Sequence, residues 1–240
     1  MRIVVTDLTR FNNDELVCLA GLTEDGGQCI RPLFKNNSHY LSYEICKKNT
    51  VLPGMILNGN FVLSDTAAAP HTEDHYIDGK FEKCGAVSSS DFKRILYASS
   101  HETVSEAFGR SLVSGVKVIS DKLAPSKSIV TIKLDPMNFE ITADKYNDEK
   151  IKAHFTDGKN NKYSFLPITD LGFFDRVGRK KTRNTDVKTA TKFIQEQTEL
   201  YIRLGLSREY QSPDGRNGFW MQVNGIYTFP GYSNLIRTYA

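Results

Sequence analysis

At 240 residues and 27.1 kDa, with 40% hydrophobic and 25% charged residues, the chain has room for one large β domain or two small ones, each with a buried core. No apolar run reaches the roughly 18–20 residues of a transmembrane helix, and Met1-Arg-Ile-Val-Val-Thr-Asp7 meets an acid too early for a secretory leader, so a cytoplasmic protein with no membrane partner is expected. The net charge of +3 is unevenly spread: the first 120 residues carry 12 Lys+Arg against 14 Asp+Glu, the last 120 carry 19 against 14, a bias compatible with a polyanionic partner.

The first third alternates apolar runs with turn formers. Strands are predicted at residues 2–6, 16–20 and 28–32, separated by Phe11-Asn-Asn-Asp14 and Thr23-Glu-Asp-Gly-Gly27 and ended by Pro32, which cannot donate to a ladder. After a polar loop around Asn36-Asn-Ser38, Pro53-Gly54 introduces a strand at 55–63, where Asn58-Gly-Asn60 predicts a bulge or sharp bend. A fifth strand is expected near 76–84. Cys18 and Cys29 fall in strand-like runs, Cys46 and Cys84 stand alone, and no C-x-x-C pair occurs, so buried free thiols in a reducing compartment are expected rather than a disulfide or a zinc site.

The pattern changes at Ser88. Hydroxyl caps followed by Phe92, Ile95 and Leu96 on one face predict an amphipathic helix over 89–97, and residues 101–108 read as a second helix stopped at Gly109. Strands resume at 128–134, and 150–155 with 162–166 form a hairpin around Asp157-Gly158. Thr169-Asp170 start a helical segment over 171–176, and Thr185-Asp186 cap a helix over 186–197 through Ala190, Phe193 and Ile194. The clearest local signal comes last: apolar, β-favouring runs at 199–207 and 219–229 flank Ser212-Pro-Asp-Gly-Arg-Asn-Gly218, a β-hairpin. The fold expected is mostly β with inserted helices. It comprises a barrel over 1–87, a helical connector over 88–124, and a second barrel with inserted helices over 125–240. Val5-Thr-Asp-Leu8 and Ile168-Thr-Asp-Leu171 nearly match but do not fall at equivalent places in the halves, so a shared turn explains them as well as duplication does.

Val4-Val-Thr-Asp-Leu-Thr-Arg10, Val17-Cys-Leu-Ala-Gly21 and Cys29-Ile-Arg-Pro-Leu33, together with Leu200-Tyr-Ile-Arg-Leu-Gly-Leu-Ser-Arg208 and Trp220-Met-Gln-Val-Asn-Gly-Ile-Tyr227, resemble the dual OB-containing domain family of prokaryotes over essentially the whole chain. The resemblance implies two tandem OB-like barrels and, by analogy of fold, nucleic-acid binding with a place among bacterial defence loci. It brings no catalytic residues.

The candidate binding residues are few. Arg176, Arg179, Lys180, Lys181 and Arg183 put five positive charges into eight residues, a phosphate-binding loop or an ordinary solvated one. Trp220, the single tryptophan, either stacks a base or anchors the core. Arg31 and Arg208 stand at strand ends, where an arginine binds a ligand or ties down loop carbonyls. His71-Thr-Glu-Asp-His75 departs from the metalloprotease spacing, with the Glu one place late and Pro70 before the first His, and reads as a solvated loop. Asp7, Asp170 and Asp175 would suit Mg²⁺ only if they met, and turn or cap roles explain each. No phosphate-cradling glycine motif occurs and no cofactor is expected. The leading expectation is a non-catalytic module for single-stranded or structured nucleic acid. The alternatives are an enzyme or nucleotide sensor using the cleft between barrels, and a protein-interaction scaffold. A basic groove with exposed aromatics favours the first; a deep pocket with convergent carboxylates favours the second.

Overall fold

The computed structural model describes residues 1–11, 15–34, 40–146, 150–173 and 183–231. Strands β1 (Arg2–Arg10), β2 (Leu16–Thr23) and β3 (Cys29–Leu33) are followed by the short β4 (Leu41–Ser42), helix α1 (Tyr43–Lys48), β5 (Met55–Leu63) and β6 (Asp74–Ala86). Pairing runs β1-β5-β6-β3-β2 and returns from β2 to β1, so five strands close a barrel, with β3 and β6 parallel and the other neighbours antiparallel. This is the strand order of an OB barrel, with α1 between the third and fourth barrel strands. Ser42 caps α1 by accepting from the Ile45 amide, and Cys46 buries its inner face. A helix this short has too few turns for periodicity to reveal it, and the sequence reading passes over it.

β1 must serve two neighbours, and a register shift between Val5 and Asp7 allows it. Ile3, Val5 and Leu8 enter the barrel core beside Val17, Leu19 and Ile30. Gly21 lets β2 cross close to β1: a Cβ there would lie 2.7 Å from the Val4 carbonyl oxygen. The bend predicted in β5 is a register shift between Asn58 and Asn60.

Next come α2 (Ser89–Ala98), the two-residue β7 (Ser100–His101), α3 (Val104–Phe108) and β8 (Val118–Ile119). Ser88 and Thr103 cap the helices, and α3 stops at Gly109 with φ 63°. Phe92, Ile95 and Leu96 are buried, as their spacing predicts.

The second set comprises β9 (Ile129–Leu134), β10 (Phe139–Ala143), β11 (Ile151–Thr156), β12 (Lys162–Pro167), α4 (Leu171–Phe173), α5 (Arg183–Gln195), β13 (Glu199–Gln211) and β14 (Asn217–Phe229). One sheet runs β10-β11-β12 and another β7-β9-β13-β14-β8. A 3-10 turn at Pro136–Asn138 links β9 to β10, and a parallel bridge from Ile168 to Val223 links the end of β12 to β14. β9 and β10 thus act as one bent first strand, and α5 occupies the place α1 has in the first barrel. Both sheets and α5 enclose a single core that includes Ile132, Phe139, Ile151, Tyr163, Ile194, Leu204 and Val223. β10, absent from the sequence reading, follows the turn at Pro136–Asn138. α5 begins at Arg183, so Thr185 and Asp186 stand inside its first turn rather than before it, where an acid is equally favoured. Residues 174–176, expected to be helical, lie outside the described residues. Leu171 crosses over to pack into the first barrel's core.

Candidate functional site

The outer faces of the two barrels meet. Because strand residues alternate faces, Val4, Leu22 and Ile56 turn away from the first core and join Tyr201, Tyr227 and Phe229 from β13 and β14, with Phe92, Ile95 and Leu96 of α2, in one buried cluster. Phe92 meets Tyr227 edge to face at 5.0 Å, and the Tyr227 hydroxyl donates to the Thr6 carbonyl.

Next along the same strands lies a layer of buried charge. Arg203, 1% exposed, donates through Nε and Nη2 to Asp7 Oδ2 at 2.9 Å and through Nη1 to Thr131 Oγ1 at 2.8 Å. Its Nη2 also reaches Cys29 Sγ at 3.2 Å. Burial pushes the Cys29 thiol up to about 12, so it stays neutral. Burial also disfavours the Arg203 charge, but the Asp7 carboxylate beside it more than offsets this and raises its pKa. A second knot ties Asp74 Oδ1 to Arg31 Nε at 2.5 Å and Asp74 Oδ2 to Arg208 Nη2 at 2.7 Å. Burial alone would raise the Asp74 carboxyl; the hydrogen bonds and charges of the two arginines outweigh it and hold it below its usual range. Glu73 accepts from the Ser128 and Ile129 amides at 2.6 and 2.9 Å, fixing the start of β9.

This corrects the reading of residues 71–75 as a solvated loop: His71, Glu73, Asp74 and His75 are all buried. Their partners lie tens of residues away, where no local pattern points. His71 sits edge-on to Phe219 at 5.7 Å; burial, and then the charges of Arg31 and Arg208, lower its pKa to about 3. The thiols need a similar correction. All four are free, but only Cys46 is buried outright and Cys84 is exposed.

Beyond the charge layer the barrels part, leaving a cavity of about 640 Å³. Asp7, Thr9, Cys18 and Arg31 line it from the first barrel, with Arg10, Phe11 and Tyr40 also on that side. The Phe11 and Tyr40 rings lie 4.5 Å apart. Opposite stand Lys150, Lys152, Arg208 and the aromatic pair Tyr210 and Trp220. Trp220 turns outward from β14 while its neighbours Phe219 and Met221 enter the core, so it is no core anchor. Its indole donates to the Tyr210 carbonyl at 3.0 Å, and Arg216 lies 4.8 Å over its ring. Gln222 and Asn224 follow on the same face, and Gly205 opposite leaves room for the Asn224 amide, which a Cβ would strike. The lining carries five cationic side chains, Arg10, Arg31, Lys150, Lys152 and Arg208, against Asp7 and Glu209, and Asp7 already faces Arg203.

Of the residues singled out in the sequence, Arg31, Arg208 and Trp220 come together here. Arg31 is both buried by Asp74 and part of the lining, while Arg208 is half exposed. Arg176, Arg179, Lys180 and Lys181 lie outside the described residues, and Arg183 opens α5. Asp170 spends its carboxylate on the Phe173 and Ile226 amides at 3.1 Å, in keeping with the cap role read for it in the sequence, and Asp175 lies outside the described residues. Among the described residues, no group of three or more His, Cys, Asp or Glu is placed to hold a metal, and no helix is long and apolar enough to cross a membrane. Sequence reasoning missed Arg10, Phe11, Tyr40, Lys150, Lys152, Tyr210 and Gln222. The alternation of Trp220, Gln222 and Asn224 with Met221 and Val223 was the available signal for one wall.

The model of the dual OB-containing domain family matches residues 1–226. No curated protein matches the chain. Among solved structures, a murine DNA-binding protein bound to double-stranded DNA aligns over 95% of this chain and 96% of its own, at 11% identity and a TM-score of 0.33. A structure described as the molecular basis for abrogation of activation of pro-inflammatory cytokines aligns over 94% and 92%, at 12% identity and a TM-score of 0.31. At these scores the likenesses carry no argument.

Proposed function

The chain belongs to the dual OB-containing domain family, and on that premise we propose that it is a binding module for single-stranded nucleic acid, with the groove between its barrels as the interface. The observation that carries this reading is the groove's lining: aromatic pairs on both walls, Phe11 with Tyr40 and Tyr210 with Trp220, among five cationic side chains and two carboxylates. Every base offers a π face, so aromatic walls hold a strand without demanding one sequence, while Lys and Arg neutralise its phosphates. An enzyme or sensor reading calls for convergent carboxylates. Here the lining carries two carboxylates, Asp7 and Glu209, and Asp7 is charge-paired with Arg203 through Oδ2.

Fluorescence anisotropy with a labelled single strand tests the proposal. Trp220→Ala is expected to weaken binding by about 1–3 kcal/mol with little change in melting temperature, since the ring lies outside the core. Absence of binding by the wild type at low salt overturns the proposal in favour of a small-molecule pocket.

A further inference from the structure

Asp7 Oδ1 and Arg31 Nη2, buried polar atoms of residues that line the groove, have no hydrogen-bond partner among the described residues. Their residues are 1% and 6% exposed, and both line the cavity. Leaving a carboxylate oxygen and a guanidinium nitrogen unpaired is costly, and such groups in a folded protein call for an explanation. Gln222, part-exposed on the β14 wall, lines the same cavity.

The mixture restricts the ligand. A phosphate would satisfy Arg31 but be repelled by Asp7; a cation would do the reverse. What fits both is a flat group that presents a donor and an acceptor side by side on one edge, between aromatic walls and under a cationic rim. Each nucleobase has such an edge. Resting on the reading of the groove as a single-strand interface, we infer that its floor is a pocket for one inserted nucleobase, edge toward Asp7, Arg31 and Gln222 and face toward Trp220. The strand outside follows the Lys150, Lys152 and Arg208 side. The cavity of about 640 Å³ falls within the usual range for small-ligand sites.

The same chemistry is available from a strand or from a free nucleotide, and the test separates them. A fully abasic deoxyoligonucleotide of about 16 nucleotides and the same strand with one central base are titrated against the full chain, which lets that base choose its own register. The single base is expected to tighten wild-type binding about tenfold or more. Arg31→Lys, which keeps a charge for Asp74 but removes the free arm, should lose most of that gain while binding the abasic strand nearly as before. Gln222→Leu, at a part-exposed position, gives the same comparison should Arg31→Lys fail to fold. Strand binding with no gain from the base, or a gain untouched in both variants, overturns the pocket and leaves the single-strand interface standing. Calorimetric binding of nucleoside monophosphates by a protein that ignores strands would keep the pocket and overturn the interface. Binding of neither removes both.

Discussion

The strands that face each other across the middle of the molecule build two unlike surfaces from successive outward positions. On β1 the order is Val4, Asp7, Thr9; on β13 it is Tyr201, Arg203, Ser207; on β14 it is Tyr227, Asn224, Gln222, Trp220. The first of each belongs to a sealed apolar seam and the last to an open, cationic and aromatic groove, with Asp7 and Arg203 at the boundary. Substitutions in the seam should therefore move stability and leave the groove's chemistry alone, while substitutions in the groove should do the opposite.

The largest effect is expected from Arg203→Met. It leaves Asp7 buried and unpaired and removes the donors to Thr131 and Cys29, a loss of about 3–5 kcal/mol. For a chain of this size that lowers the melting temperature by on the order of 10 °C. Adding Asp7→Leu should recover much of it, because an apolar pair of similar volume often replaces a buried ion pair at little cost. A single mutant as stable as the wild type would show that the boundary charges do not hold the barrels together.

The layer of buried charge should also respond to acid, through His71. Its pKa is about 3 in the folded chain and about 6.5 when unfolded, so below pH 6.5 the unfolded state takes up a proton that the folded state refuses. Stability is full above that value and falls as pH drops toward 3, by about 2 kcal/mol at pH 5. Asp74, held below its usual pKa by Arg31 and Arg208, adds a further loss at lower pH as its carboxylate is protonated. Urea midpoints at pH 7 and pH 5, for the wild type and His71→Leu, check this: the variant should lose most of the difference. An equal drop in both would assign the acid sensitivity to other groups.

Legibility in the sequence followed the range of the interactions. The β13–β14 hairpin and α2 declare themselves through local periodicity and turn chemistry, and the helix faces named from spacing are buried at Phe92, Ile95 and Ile194. The buried charges do not, because Asp7 finds Arg203 and Glu73 finds Ser128 only after both barrels have formed. Trp220 and Arg208 were visible as candidates, but Phe11, Tyr40 and Lys150 reach the groove from turns whose placement depends on how one barrel docks on the other. Closure of the second barrel hangs on the bridge between Ile168 and Val223, a contact with no signature in either segment.

The smallest expected effect concerns Arg179, Lys180 and Lys181, and it asks whether the groove's cationic surface extends into the most basic stretch of the sequence. Each phosphate contact a protein makes releases counterions, so removing one flattens the dependence of log affinity on log salt by roughly 0.7–0.9. If this stretch continues the path that Lys150 and Arg208 begin, changing its three residues to Ala should flatten the slope by more than one contact's worth, with a modest loss of affinity. The melting temperature should hold, because Lys and Arg charges in such runs add little stability. Lys150→Ala provides the internal scale, since it removes a single cation that lines the groove. A triple mutant with the wild-type slope, beside a Lys150→Ala protein with a flatter one, would confine the phosphate contacts to the groove itself.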